Sequence, residues 1–352
     1  MAFLGGQEET VSEYVRPVSM VNGDGLVNPG WARQPLFEMN MTAAASVHRH
    51  LFGAWRLKRW EYSYVVTPTV FFAAQIAHLG YLGNLAAYLY DIKRDILMEG
   101  TLNIPFGTGV LLADHPRRGT TSARAGRSAR LQSEITPEGK HITIDWPGFH
   151  GPDSLDADLL LGWPEELESL SVVDPLRNGR FAYTTKVTCM PAAGAIRIGP
   201  ETWECNRSEA LGELDWSRGF LESVTVWKWA TASGRTRQGQ TVGFNLCSGL
   251  HDRGDNENAM VVDGHLTKLG LVSFTYDRRH IMEPWHVGSH DGRIDLSFLP
   301  MADRRSSTNA GPLQSHIHQL VGKYSGTVIP EGSDPIVITD FVGAAEDHYA
   351  RW

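Results

Sequence analysis

The sequence predicts an all-β protein: two consecutive antiparallel β-barrels preceded by an irregular N-terminal arm. Three observations lead there. Short runs rich in aromatic and β-branched residues recur along the chain, Gly, Pro and Asp-Gly signals separate them, and neither a long amphipathic helix nor a β-α-β alternation appears. The chain has 352 residues, enough for two domains. The expected division is an arm over 1–45, a first barrel over 46–205 and a second over 206–352, each barrel segment long enough for about eight short strands.

The arm is expected to be irregular because Pro17, Gly23, Gly25, Pro29, Gly30 and Pro35 break any period; Trp31 and Leu36 are its candidate anchors. From Leu57 to Val66 aromatic and β-branched residues dominate with partial alternation. Pro68 interrupts, Thr69 to His78 resumes, and Gly80 and Gly83 precede Tyr88-Leu89-Tyr90-Asp91, the spacing of an antiparallel meander. Residues 115–130 are basic and Ser/Gly-rich and read as an exposed loop, with a site-capping lid as the alternative. Leu131 to Trp146 reads as a hairpin turning at Pro137-Glu138-Gly139-Lys140. Residues 156–170 are the one candidate helix, from the cluster Leu159, Leu160 and Trp163, although Pro164 argues for a break. Beyond Phe181 strands are expected at 224–230, 241–247, 259–262, 271–276, 294–299, 323–328 and 335–339. Asp263-Gly264 and Asp291-Gly292 serve as hairpin signals between them.

A net charge of −8 and a pI of about 6.0 argue against a nucleic-acid binder. No run of about 18 apolar residues exists, so no membrane-spanning helix is expected. The first ten residues lack a basic region and turn acidic at Glu8 and Glu9, and the three cysteines, Cys189, Cys205 and Cys247, are widely spaced. Both features fit a protein of the reducing cytoplasm. Gly107-Thr108-Gly109 is followed by Val-Leu-Leu and is no dinucleotide fingerprint. A phosphate-binding loop, an HExxH motif and a nucleophile elbow are also missing. The simplest site is therefore free of cofactor and metal and takes a small hydrophobic substrate.

The segment richest in chemistry is Gly212-Glu213-Leu214-Asp215-Trp216-Ser217-Arg218-Gly219. On a strand Glu213 and Asp215 share a face. Two carboxyls in a poorly hydrated cavity cannot both ionise cheaply, so one becomes a general acid beside a carboxylate. The competing assignment is a pair of solvated charges with Arg218 as an ordinary partner. Trp216, Trp227 and Trp229 can stabilise a developing cation by about 0.5–2 kcal/mol each, or simply pack. Tyr62, Tyr64 and Tyr276 are candidate interior donors. Asn245, His251, Asp252, Asp255, Asn256, Glu257 and Asn258 form a polar cluster at a barrel mouth, without the register of a calcium loop, in which Glu257 is a candidate site residue. His48-Arg49-His50 and His316-Ile317-His318 share a face pairwise, but no third ligand stands at metal spacing.

Arg59-Trp60-Glu61-Tyr62-Ser63-Tyr64, Leu214 to Gly219, Trp227-Lys228-Trp229-Ala230, Gly243-Phe244-Asn245-Leu246, Glu257-Asn258-Ala259 and Pro284-Trp285 together resemble the domain of unknown function 2804 family, over most of residues 30–352. More distantly, Gly212, Asp215 and Gly219 are similar to a pattern of the lipocalin-like superfamily of carotenoid 1,2-hydratases, kievitone hydratase and tocopherol cyclase. That pattern often has Tyr where this chain has Glu213 and His where it has Trp216, so Asp215 carries over best. The resemblance implies two lipocalin-like barrels and cofactor-free, acid-initiated chemistry on an isoprenoid double bond. The leading expectation is a hydratase with Asp215 or Glu213 as the acid. A cyclase, isomerase or pericyclase on the same fold, or a non-catalytic carrier of lipophiles, are the alternatives.

Overall fold

The computed structural model describes residues 12–48, 53–126, 129–250, 256–310 and 313–352. The chain is built from two large antiparallel sheets. The first runs, in hydrogen-bonded order, through Ile96–Pro105, Leu82–Asp91, Val70–His78, Lys58–Val66, Leu211–Gly219, Phe181–Ile198, Asp153–Gly162, Gly139–His150, Ala129–Thr136, Thr120–Ala125 and Val110–Leu111. Leu170–Pro175 and Glu201–Cys205 pair with the long strand Phe181–Ile198, and Gly30–Ala32 from the arm pairs with Leu170–Pro175. The second sheet runs through His265–Lys268, Ala259–Val262, Thr241–Ser248, Val224–Arg235, Ile336–Arg351, Leu313–Val328, Ile294–Ala310, Trp285–Ser289 and Val272–Thr275.

Each sheet curls as a half-barrel around its own apolar core. Phe72, Leu85, Leu159, Tyr183 and Trp216 belong to the first core, and Phe244, Trp285, Leu296 and Phe298 to the second. A third cluster joins the two sheets across their facing surfaces: Tyr62, Tyr64, Phe71 and Tyr88 from the first meet Trp229, Val321 and Ala344 from the second. This seam explains why alternation in Lys58–Val66 is only partial in the sequence. Val65 turns into the first core while Tyr62 and Tyr64 turn into the seam, so both faces are apolar. Leu211–Gly219 is buried at every position for the same reason.

The all-β architecture of two successive barrel-like sheets matches the expectation, as does the hairpin closing at Thr136 and Gly139 and the one closing at Val262 and His265. Strand Leu211–Gly219, which lies beyond residue 205, hydrogen-bonds within the first sheet, and the chain passes to the second sheet at residues 220–223. The arm is not wholly irregular, since Trp31 pairs with Val172. The expected helix over 156–170 is instead the strand Asp153–Gly162 followed by a turn. Its buried residues Leu155, Ala157, Leu159 and Leu161 recur every second position, a strand period that Trp163 continues and the out-of-phase Leu160 obscures. Within 115–130, Thr120–Ala125 is a strand, residues 127 and 128 lie outside the described residues, and no described residue of the segment lines the cavity between the sheets. No helix among the described residues is long and apolar enough to cross a membrane.

Candidate functional site

A cavity of about 410 Å³ lies at the seam, walled by both sheets. From the first sheet come Trp60 and Tyr62 on Lys58–Val66, Asp215 and Ser217 on Leu211–Gly219, and Lys186 on Phe181–Ile198. From the second come Trp227 and Trp229 on Val224–Arg235, Gln319 on Leu313–Val328, and Glu346 and His348 on Ile336–Arg351. Register assembles them: Asp215 lies opposite both Lys186 and Tyr62, and Trp229 and Gln319 both lie opposite Glu346.

Asp215 uses both oxygens. Ser217 Oγ donates to Oδ1 at 2.6 Å, and Lys186 Nζ pairs with Oδ2 at 2.6 Å, with Trp60 Nε1 donating to the same oxygen at 3.4 Å. Lys186 Nζ also lies 3.4 Å from Glu257 Oε2 and 5.6 Å from the Trp229 ring centroid. Burial works against the Lys186 ammonium, but Asp215 and Glu257 outweigh it and hold its pKa above the usual lysine value. Trp229 is fixed from behind: its Nε1 donates to Asn245 Oδ1 at 2.7 Å, and Asn245 Nδ2 donates to the Glu257 carbonyl at 2.6 Å.

Across the cavity, Glu346 accepts from Trp227 Nε1 at 3.2 Å and from Gln319 Nε2 at 2.5 Å. Burial pushes its carboxyl up to about 7, and Asp215 raises it further while the two hydrogen bonds and Lys186 pull down. His348 stands beside it, its ring 4.0 Å from that of Trp227, and burial lowers its pKa to about 3, so the imidazole is neutral.

Of the residues singled out from sequence, Asp215, Trp227, Trp229, Tyr62, Arg218 and Glu257 line the cavity. Arg218 stands at its edge, stacked over Trp216 at 3.6 Å and donating to the carbonyls of Trp60 and Ala113. Glu213 shares the face of Asp215 but does not line the cavity: it is wholly buried deeper in the seam, where Thr231 Oγ1 donates to it. Burial pushes it up to about 8. Tyr64 lies there too, its hydroxyl 3.4 Å from Ser233 Oγ. Trp216 faces the first core, Asn245 stands behind Trp229, and Tyr276 stacks on Trp285 with its hydroxyl on Asp347, away from the cavity.

Residues 49–50 and 251–255, which held parts of the first His pair and of the polar cluster, lie outside the described residues. His316 and His318 bond Ser307 and Asp303, and among the described residues no three His, Cys, Asp or Glu side chains group as a metal site. Sequence reasoning missed Lys186 and Glu346. The available signal was a charge in a run of β-branched or small residues, Thr184-Thr185-Lys186-Val187 and Ala344-Ala345-Glu346.

A family model described as Domain of unknown function (DUF2804) matches residues 11–352. The chain belongs to the DUF2804 family. Among solved structures, this DUF2804 chain is similar to an AttH-like protein of Nitrosomonas europaea, with 13% identity, a TM-score of 0.50 and coverage of 85% of this chain and 94% of that one. It is also similar to kievitone hydratase from Nectria haematococca, at 10% identity and a TM-score of 0.45, covering 84% of this chain and 88% of that one. CghA with Sch210972 follows at 10% identity and a TM-score of 0.42, with the same coverages of 84% and 88%. No curated protein matches the sequence. At 13% identity the likeness to the Nitrosomonas protein is one of fold alone.

Proposed function

We propose that the DUF2804 chain is a hydro-lyase that adds water to, or removes it from, an isoprenoid-type carbon–carbon double bond held in the cavity at the seam. The observation that carries this reading is Glu346: a buried carboxyl with a pKa pushed to about 7, in an aromatic cavity, opposite an Asp215–Lys186 ion pair. Such a group is about half protonated at neutral pH and fully so below it, and can donate its proton inside the cavity. Asp215 is the poorer donor, because its oxygens already accept from Ser217, Lys186 and Trp60. Glu213, buried deeper in the seam, is not among the residues that line the cavity, and the proposal therefore gives the acid role to Glu346.

In the hydration direction the Glu346 carboxyl transfers its proton to an alkene carbon. The faces of Trp227, Trp229 and Tyr62 shield the resulting tertiary cation. Water adds to it and passes a proton to Asp215, and return of that proton to Glu346 through cavity water closes the cycle. The reverse sequence eliminates water.

Incubation with prenylated compounds in heavy-oxygen water tests the reading. A labelled tertiary alcohol is expected, and Glu346→Gln is expected to lower kcat about 10²–10⁴-fold with ligand binding retained. An unlabelled isomer would make the protein a cyclase or isomerase. Binding without turnover would make it a carrier.

A further inference from the structure

The half of the cavity around Arg304 has a different chemistry from the aromatic half. On the first sheet Gln75, Asn84, Thr101 and Asn103 line it from three neighbouring strands, where Asn84 faces Asn103 and both Gln75 and Thr101 face Ala86. On the second sheet Ser306 and Thr308 line it at alternate positions beyond Arg304. Arg304 ties the walls together, donating to Thr101 Oγ1 at 2.7 Å and to Gln319 Oε1 at 3.1 Å, with Glu99 Oε2 2.9 Å from its Nε. The four residues Thr101, Asn103, Ser306 and Thr308 are exposed, so this half opens to solvent.

We infer that this half is a subsite for a neutral, polyhydroxylated head group such as a hexosyl unit, which makes the substrate an amphipathic glycoside and not a bare hydrocarbon. Amides and hydroxyls each donate and accept, which matches sugar hydroxyls that do the same. The Asn84 amide donates to Asn103 Oδ1 at 3.0 Å, a bond that uses neither the Asn84 carbonyl oxygen nor the Asn103 amide N–H. An apolar ligand here would desolvate these groups with nothing in return. Arg304, the arginine that joins the two walls here, already has its charge matched by Glu99, and the octyl sulfate arm of the test reads any pull from Arg351, which also lines the cavity. Tyr62 lies opposite Gln75 on the adjoining strand, so head group and apolar body occupy one continuous cavity. The inference rests on the preceding reading only in placing the apolar body beside Glu346.

The test is tryptophan fluorescence titration of the full chain with octyl β-glucoside, octanol and octyl sulfate, each below its micelle concentration. The glucoside is expected to bind about tenfold or more tighter than either of the others. Asn103→Ala, at an exposed position, and Gln75→Ala are each expected to remove that preference and leave octanol binding in place. Equal or tighter binding of octanol or octyl sulfate overturns the inference, as does failure of all three to bind. Absence of any labelled alcohol from prenylated compounds would remove the proposed reaction, and a Glu346→Gln variant with full turnover would remove Glu346 as its acid; either leaves the glucoside preference standing, so the two readings fail separately.

Discussion

Glu346 and Lys186 carry opposite lessons about burial. The Glu346 carboxyl has only neutral donors in direct contact, so desolvation wins and its pKa rises to about 7. Lys186 has two carboxylates within reach, and desolvation loses. If the acid form of Glu346 is the active one, kcat should hold on the acid side and fall about tenfold per pH unit above about pH 7, with the break absent in Glu346→Gln. Lys186→Met should cost about 3–5 kcal/mol in urea unfolding, because it leaves the Asp215 carboxylate buried without its cation. A loss under about 1 kcal/mol would show that the pair is hydrated. The sequence displayed Asp215, Trp227 and Trp229 because a carboxylate among tryptophans stands out. Lys186 and Glu346 acquire meaning only through pairings between strands distant in sequence, Lys186 with Asp215 and Glu346 with Trp229.

At the scale of the strand, legibility followed burial. Where one face meets a core and the other meets solvent, as in Asp153–Gly162, the period of two is present, though adjacent apolar residues hid it. Where both faces are buried, as in Leu211–Gly219, sequence showed composition without alternation. That strand holds a second consequence. Glu213 is neutral in the folded chain, with a pKa of about 8 against roughly 4.3 when unfolded. Its folded pKa is raised, so its contribution to stability is fully present below pH about 4.3 and is lost as pH rises through about 8. Glu346 acts in the same direction up to about pH 7. The urea midpoint should therefore fall between pH 5 and 8, and Glu213→Gln, which keeps an amide against Thr231, should flatten the fall. An unchanged slope would place the charge elsewhere.

At the scale of the molecule, the two sheets are held by the aromatic seam and by a few polar ties. One tie comes from the long strand Phe181–Ile198. Its register shifts between Val187 and Met190, Cys189 takes a φ of 61°, and the Cys189 N–H reaches Ser233 Oγ on the second sheet at 2.9 Å. Tyr64, stacked on Phe71 with a centroid separation of 4.9 Å, is one of the seam's fully buried rings. Tyr64→Ala should cost about 3–5 kcal/mol and be read as a lowered midpoint in a single cooperative transition. Two separate transitions would show that the sheets fold independently.

The proposed reaction divides its proton transfers between the sheets, with Lys186 and Asp215 on one and Glu346 on the other. Neither sheet by itself carries both the ion pair and Glu346. Turnover would therefore report assembly itself: a chain cut at residues 220–223, where the backbone crosses from one sheet to the other, would be silent as fragments and would signal when the pieces are brought together.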